Sequence, residues 1–167
     1  NPSFMLDAYS DWVSDTMKNE VVLPYVSMHG STQKMVDHFT AALIDRGIVV
    51  KPFNLTHTDI GELALALVDA ATVVMATPTV LFGPHPQIVY ATYLANALRP
   101  KTRYASVIVS YGWGGKSAET IVSLLNHLKV EVLEPVLTKG LPDEAAVQAL
   151  DRLADDILKK HKELGIM

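Results

Sequence analysis

Cysteine is absent from all 167 residues. The chain therefore has no disulfide framework, no thiolate metal site and no redox thiol, so any electron chemistry must ride on a bound cofactor. A basic excess is missing too, with 14 Lys and Arg against 18 Asp and Glu for a net charge of -4. A surface that tracks nucleic-acid phosphates needs the opposite balance, and anionic membranes would repel this one. No apolar run approaches the ~20 residues of a membrane span, and the start lacks the basic-then-apolar order of a secretory signal. The cytoplasm is the expected compartment. The chain opens on Asn1, as a fragment or a processed product would.

Several catalytic signatures are absent as well. None of the six histidines forms H-x-H or H-E-x-x-H, and there is no G-x-S-x-G elbow. A receiver-type phosphorylation domain needs a carboxylate after its third strand and an acidic pair after its first, where this chain has Thr77 and Ser27. Charged residues make up 19% and hydrophobic ones 49%, the balance of one globular domain with a sizeable core.

The stretch Val21 to Gln33, VVLPYVSMHGSTQ, joins an apolar run to a hydroxyl-rich loop and a helix start. A buried strand opening into a helix aims backbone N–H groups and a positive dipole end at one spot, which suits a phosphate. Gly30 permits close backbone approach, and Ser27, Ser31 and Thr32 add hydroxyls. The loop has neither the GK[ST] ending of a P-loop nor the G-x-G-x-x-G of a dinucleotide fold. A Ser/Thr-rich helix cap without a ligand is the alternative.

Along the chain, residues 1–20 carry Phe4, Leu6, Tyr9, Trp12 and Val13 at near-helical spacing, a short amphipathic segment that packs on this domain or another. Residues 21–26 predict a strand buried on both faces, with a bulge or an unpaired carbonyl opposite Pro24. Met35, Val36, Phe39, Ala42 and Leu43 predict a helix over 31–46, stopped by Gly47. A strand at 48–53, a helix from about 59 to 68 and a buried strand at 71–76 follow. The segment 77–86, with three prolines and a glycine, predicts a loop that continues neither kind of element. A helix over 88–98, a strand over 104–109, the turn SYGWGG at 110–115, a helix over 116–128 and a fifth strand that begins at 130–134 come next, then a last helix from Pro142 to near Leu164.

Five strands alternating with helices predict an α/β fold: a doubly wound five-stranded parallel sheet, order 2-1-3-4-5, with helices on both faces. In such sheets ligands lie beyond the carboxyl ends of the strands where the winding reverses. The loops there, 27–32, 77–86 and 110–115, are also the compositionally odd ones. A flat ring on a phosphate tail fits this division, with apolar or aromatic walls from Met28, Val80, Leu81, Phe82, Tyr111 and Trp113. Gly112, Gly114 and Gly115 leave N–H groups for the ring edge. His29 or His85, protonated near the ring, would favour its reduced anionic form.

The pattern [ST]-x-x-G-x-T after the first strand resembles the flavin mononucleotide (FMN) phosphate loop of flavodoxin-like proteins. SMHGST, the T-P-T of residues 77–79 and SYGWGG together resemble the flavodoxin-like domain of flavodiiron proteins over residues 20–164, SYGWGG being the most specific piece. The resemblance implies an electron-transfer domain at 20–167 that binds FMN without covalent attachment, preceded at 1–19 by a segment like the linker to the family's diiron domain. It also implies transfer to a redox partner protein or diiron domain, often across a homodimer. By position, Ser27, His29, Gly30, Ser31 and Thr32 would hold the phosphate. Met28, Pro78, Thr79, Val80, Leu81 and Phe82 would line one side of the ring, and Ser110, Tyr111, Gly112, Trp113, Gly114 and Gly115 the other. Leu81 and Phe82 stand where the family frequently has asparagine. Two alternatives stay open: a stand-alone NAD(P)H-dependent flavin or quinone reductase, whose nearest basic residues in sequence are Arg99, Lys101 and Arg103, and a non-catalytic interaction domain that has lost FMN.

Overall fold

The computed structural model describes residues 2–167, without the side chains of Pro2, Asp11 and Trp12. Strands β1 (Lys18–Tyr25), β2 (Val49–Asn54), β3 (Ala70–Val80) and β5 (Tyr104–Tyr111) form a parallel sheet in the order β2-β1-β3-β5. The place beyond β5 is shared by β6 (Glu131–Val132) and β7 (Val136–Lys139), both parallel to it. A two-residue β4 (Gly83–Pro84) folds back antiparallel on the end of β3. The predicted winding is therefore present, but the sheet has seven strands rather than five. The last strand is broken at Glu134–Pro135, where a proline has no N–H for the ladder.

Alternation along the strands sorts the core into two layers. Val21, Leu23, Tyr25, Val74, Ala76 and Ile108 meet Met35, Val36, Phe39 and Leu43 of α2 (Ser31–Asp45) and Leu150, Leu153 and Ile157 of α6 (Glu144–Glu163). Val22, Val73, Met75, Ala105, Val107 and Val109 face the other way. They meet α3 (Ile60–Leu67), α4 (Pro86–Leu98) and α5 (Ser117–Leu124). Each large apolar side chain so buried contributes about 1.5–3 kcal/mol, and the even-odd split explains why these strands are apolar throughout.

The helix ends follow capping rules. Asp59 accepts from the Gly61 amide at 2.7 Å, Asp143 from that of Ala146 at 2.9 Å, and Pro86 occupies a first turn, where a missing N–H costs nothing. The last predicted helix thus starts two residues beyond Pro142, and α5 gives way to a 3-10 turn at Leu125–His127.

Pro24 stays in register with Phe53 of β2, and the one irregularity between β1 and β3 lies at Lys18/Val21. The Val26 amide donates to Ala76 O across that seam. By alternation the missing Pro24 N–H faces the Val74 carbonyl, and the irregularity of β1 lies elsewhere. The amphipathic N-terminal segment is helix α1 (Pro2–Val13), with Phe4, Leu6, Tyr9 and Val13 all exposed; the Trp12 side chain lies outside the described residues.

His161 of α6 is fully buried, its Nε2 2.8 Å from Thr72 Oγ1 and its Nδ1 2.7 Å from Asn19 Oδ1. An amide oxygen only accepts, so Nδ1 carries the proton and the threonine hydroxyl donates to Nε2. Burial pushes this imidazole down from 6.5 to about 4.

Candidate functional site

The carboxyl ends of β1, β3, β5 and β7 converge on an apolar-walled cavity of about 260 Å³. Met28, His29, Ser31 and Thr32 line it from the first loop, Pro78, Thr79 and Val80 from the second, and Ser110, Tyr111 and Gly112 from the third. Gly140, just after β7, completes the lining. It lies outside the residues expected from sequence, where the last strand begins at 130–134 without a fixed end; Gly-Leu-Pro after the Val-Leu-Thr-Lys run was the available signal. No lysine or arginine lines the cavity.

The first loop is organised by Ser27, whose hydroxyl accepts from the Gly30 and Gln33 amides, each at 3.2 Å. Gly30 sits at φ 86, a left-handed conformation that glycine adopts without steric cost. With Gln33 satisfied, the first-turn amides of Ser31 and Thr32 have no acceptor among the described residues. The Ser31 hydroxyl donates to Gly140 O, and Thr32 Oγ1 lies 2.8 Å from Ser110 Oγ. Thus the backbone, more than the hydroxyls, offers free donors.

Glycines in the third loop divide by role. A Cβ on Gly115 would fall 2.7 Å from Thr79 Cγ2 and 3.2 Å from Phe82 O, so this glycine lets the third loop lie against the second. The Lys116 amide donates to Phe82 O at 3.0 Å, and Thr79 Oγ1 is 2.9 Å from Ser117 Oγ. A Cβ on Gly112 or Gly114 would meet nothing within 4 Å, and neither has a positive φ. The protein's own packing does not require glycine at either position; Gly112 lines the cavity and Gly114 does not.

Other expected site residues lie outside the lining. β3 runs on through Pro78 to Val80, so the predicted loop is in part a hairpin with Leu81 and Phe82 at its tip. They are 92% and 65% exposed, at φ 48 and 70, a turn that favours Asn-Gly over bulky apolar residues. Trp113 is 76% exposed and also lies off the cavity. His85 caps α4, its Nδ1 accepting from the Gln87 amide at 3.2 Å, and burial holds its pKa below the usual imidazole value. His85 is therefore structural, while His29 lines the cavity. Arg99, Lys101 and Arg103 precede β5, about 25 Å of strand away from the third loop, so they cannot serve a nicotinamide over the ring.

No family model matches the chain. Among curated relatives, nitric oxide reductase of Moorella thermoacetica is 28% identical over 133 residues, covering 80% of this chain and 33% of its own length. Rubredoxin-oxygen oxidoreductase of Megalodesulfovibrio gigas is 26% identical over 161 residues, 96% of this chain and 40% of its own. The solved rubredoxin oxygen:oxidoreductase from Desulfovibrio gigas superimposes over 96% of this chain and 40% of its own, with a TM-score of 0.89 and 25% identity. At 20% identity, where likeness shows fold alone, the flavodiiron protein from Giardia intestinalis gives a TM-score of 0.77 over 92% of this chain and 38% of its own. An archaeal flavodoxin gives 0.70 over 86% of this chain and 99% of its own. The chain spans two fifths or less of these two curated relatives. By sequence and by fold it is a homologue of the flavodoxin-like part of flavodiiron proteins.

Proposed function

We propose that residues 20–167 bind FMN without a covalent bond and act as an electron-transfer domain, with residues 1–19 as a connecting segment. The supporting observation is the pairing of unbonded Ser31 and Thr32 amides with glycine at 112 beside open space. The amides suit a phosphate, and the apolar walls of Met28, Pro78, Val80 and Tyr111 suit a flat ring. The residues present fit the group.

Bound there, FMN supplies the one- and two-electron chemistry that no side chain of this cysteine-free chain offers. The protein's part is to hold the tail with main-chain N–H groups, to shield the ring between the second and third loops, and to place the Gly112 amide near its edge. Leu81, Phe82 and Trp113, exposed on the second and third loops outside the lining, are available to a partner. The described residues bring no three His, Asp or Glu together as metal ligands. In this reading the electrons pass to a diiron domain or redox partner, reached within a longer polypeptide or across a homodimer.

Titrating the protein with FMN and with riboflavin, followed by flavin fluorescence, tests the reading. FMN should bind at least about tenfold tighter, since charge-assisted hydrogen bonds contribute about 1.5–3 kcal/mol. Equal affinities, or no binding of either, would refute it.

A further inference from the structure

At the opposite pole, beyond the amino ends of the strands, lies a groove of about 910 Å³ lined by Arg99, Lys101, Arg103, His127 and Lys129, by one carboxylate, Asp15, and by Met17, Pro100 and Leu128 as its apolar part. In a chain of net charge -4, four of the 14 lysines and arginines meet here. Lys101 is committed: its ammonium lies 2.6 Å from Asp69 Oδ1 and reaches the Thr16 carbonyl at 3.3 Å. Arg99, Arg103 and Lys129 make no ion pair among the described residues, although each is exposed.

The backbone holds these cations in fixed places. The Lys101 amide donates to Val68 O at 3.3 Å and the Arg103 amide to Ala71 O at 2.9 Å. Between them the buried Thr102 hydroxyl donates to Ala70 O at 3.0 Å. Alternation along this extended segment turns Thr102 inward and Lys101 and Arg103 outward. Arg99 ends α4 at φ 47, a left-handed position where glycine or asparagine is the low-energy choice. Lys129 and His127 approach from the 3-10 turn that follows α5.

We propose that this groove is a second anion site, shaped for a small oligophosphate such as a nucleoside di- or triphosphate. Two guanidiniums and an ammonium suit several phosphate groups, since arginine forks match phosphate oxygens in pairs. Met17, Pro100 and Leu128 provide an apolar surface for an attached base. Concavity favours a small ligand over an acidic protein surface, which would need a flatter and wider contact. This assignment is independent of the FMN reading, whose pocket lies at the other end of the sheet.

Calorimetric titration with ATP tests it, together with amide NMR mapping, which separates binding in this groove from binding at the first loop. The expected result is saturable binding that weakens with salt, with shifts at residues 99–103 and 127–129. Arg99→Asn, which keeps a residue tolerant of left-handed backbone, combined with Arg103→Gln should weaken ATP about tenfold or more. Lys159→Gln on α6 should leave it unchanged. Binding that survives the double variant, shifts confined to residues 27–32, or capture of polyglutamate in place of ATP would each overturn the proposal.

Discussion

Acidification from pH 7 to pH 5 in a series of urea unfolding curves probes His161, the imidazole that α6 inserts between β1 and β3. Its folded pKa of about 4 lies below the 6.5 of the unfolded chain, so the unfolded state binds more protons through that interval and stability must fall as pH falls. The contribution is intact above pH 6.5, declines between 6.5 and 4, and levels off below. Linkage puts the loss at roughly 2 kcal/mol by pH 5 and roughly 3 kcal/mol once the decline is complete. Against a typical domain stability of about 5–15 kcal/mol, that is a large share. His161→Gln offers the same bonds, an amide N–H toward Asn19 Oδ1 and an oxygen toward Thr72, without titrating. Groups common to both proteins, such as His85, cancel in the difference. The wild-type line should therefore drop more steeply than the variant's, and parallel lines would refute a neutral buried His161.

Gly112→Ala should leave stability within about 0.5 kcal/mol while weakening FMN in the fluorescence titration, whereas Gly115→Ala should cost about 1–3 kcal/mol by overpacking against Thr79; equal effects on both properties would erase the distinction. Leu81→Asn at the hairpin tip relieves a left-handed leucine that buries little, and thermal unfolding should show a gain of about 1 kcal/mol.

The layer structure was legible because apolar residues recur at helical spacing in α2 and dominate residues 21–26 and 70–76. What sequence could not place was set by tertiary pairing. Pro78 reads as a strand breaker, yet β3 passes through it because Ser110 pairs with it from β5 and β4 folds back beyond it. Val130 to Lys139 contains two short apolar runs, and neither tells where the last strand ends, so Gly140 stayed outside the expected site. Leu81 and Phe82 read as pocket walls on hydrophobicity alone, but their backbone conformation turns them outward. Met28, Ser31, Thr32, Thr79 and Tyr111 were legible because a strand end fixes where the following residue must go, with no knowledge of side-chain packing.

Thr32 and Ser110 test how far the cavity depends on a bridge between its loops. Their hydroxyls join the start of α2 to the end of β5 across 78 residues of sequence, and both side chains are buried. Thr32→Val strands the serine oxygen, and Ser110→Ala strands the threonine; each single change should cost about 1–3 kcal/mol in urea unfolding, the penalty of an unsatisfied buried hydroxyl. The double variant leaves neither group stranded and should cost less than the sum, giving a favourable coupling of about 1 kcal/mol. If this bridge holds the first and third loops in a binding-ready arrangement, FMN affinity should fall in both single variants, because ligand binding must then order what folding had already ordered. Strict additivity of the two changes would show that the hydroxyls do not depend on each other, and unaltered FMN affinity alongside real coupling would confine the bridge to stability.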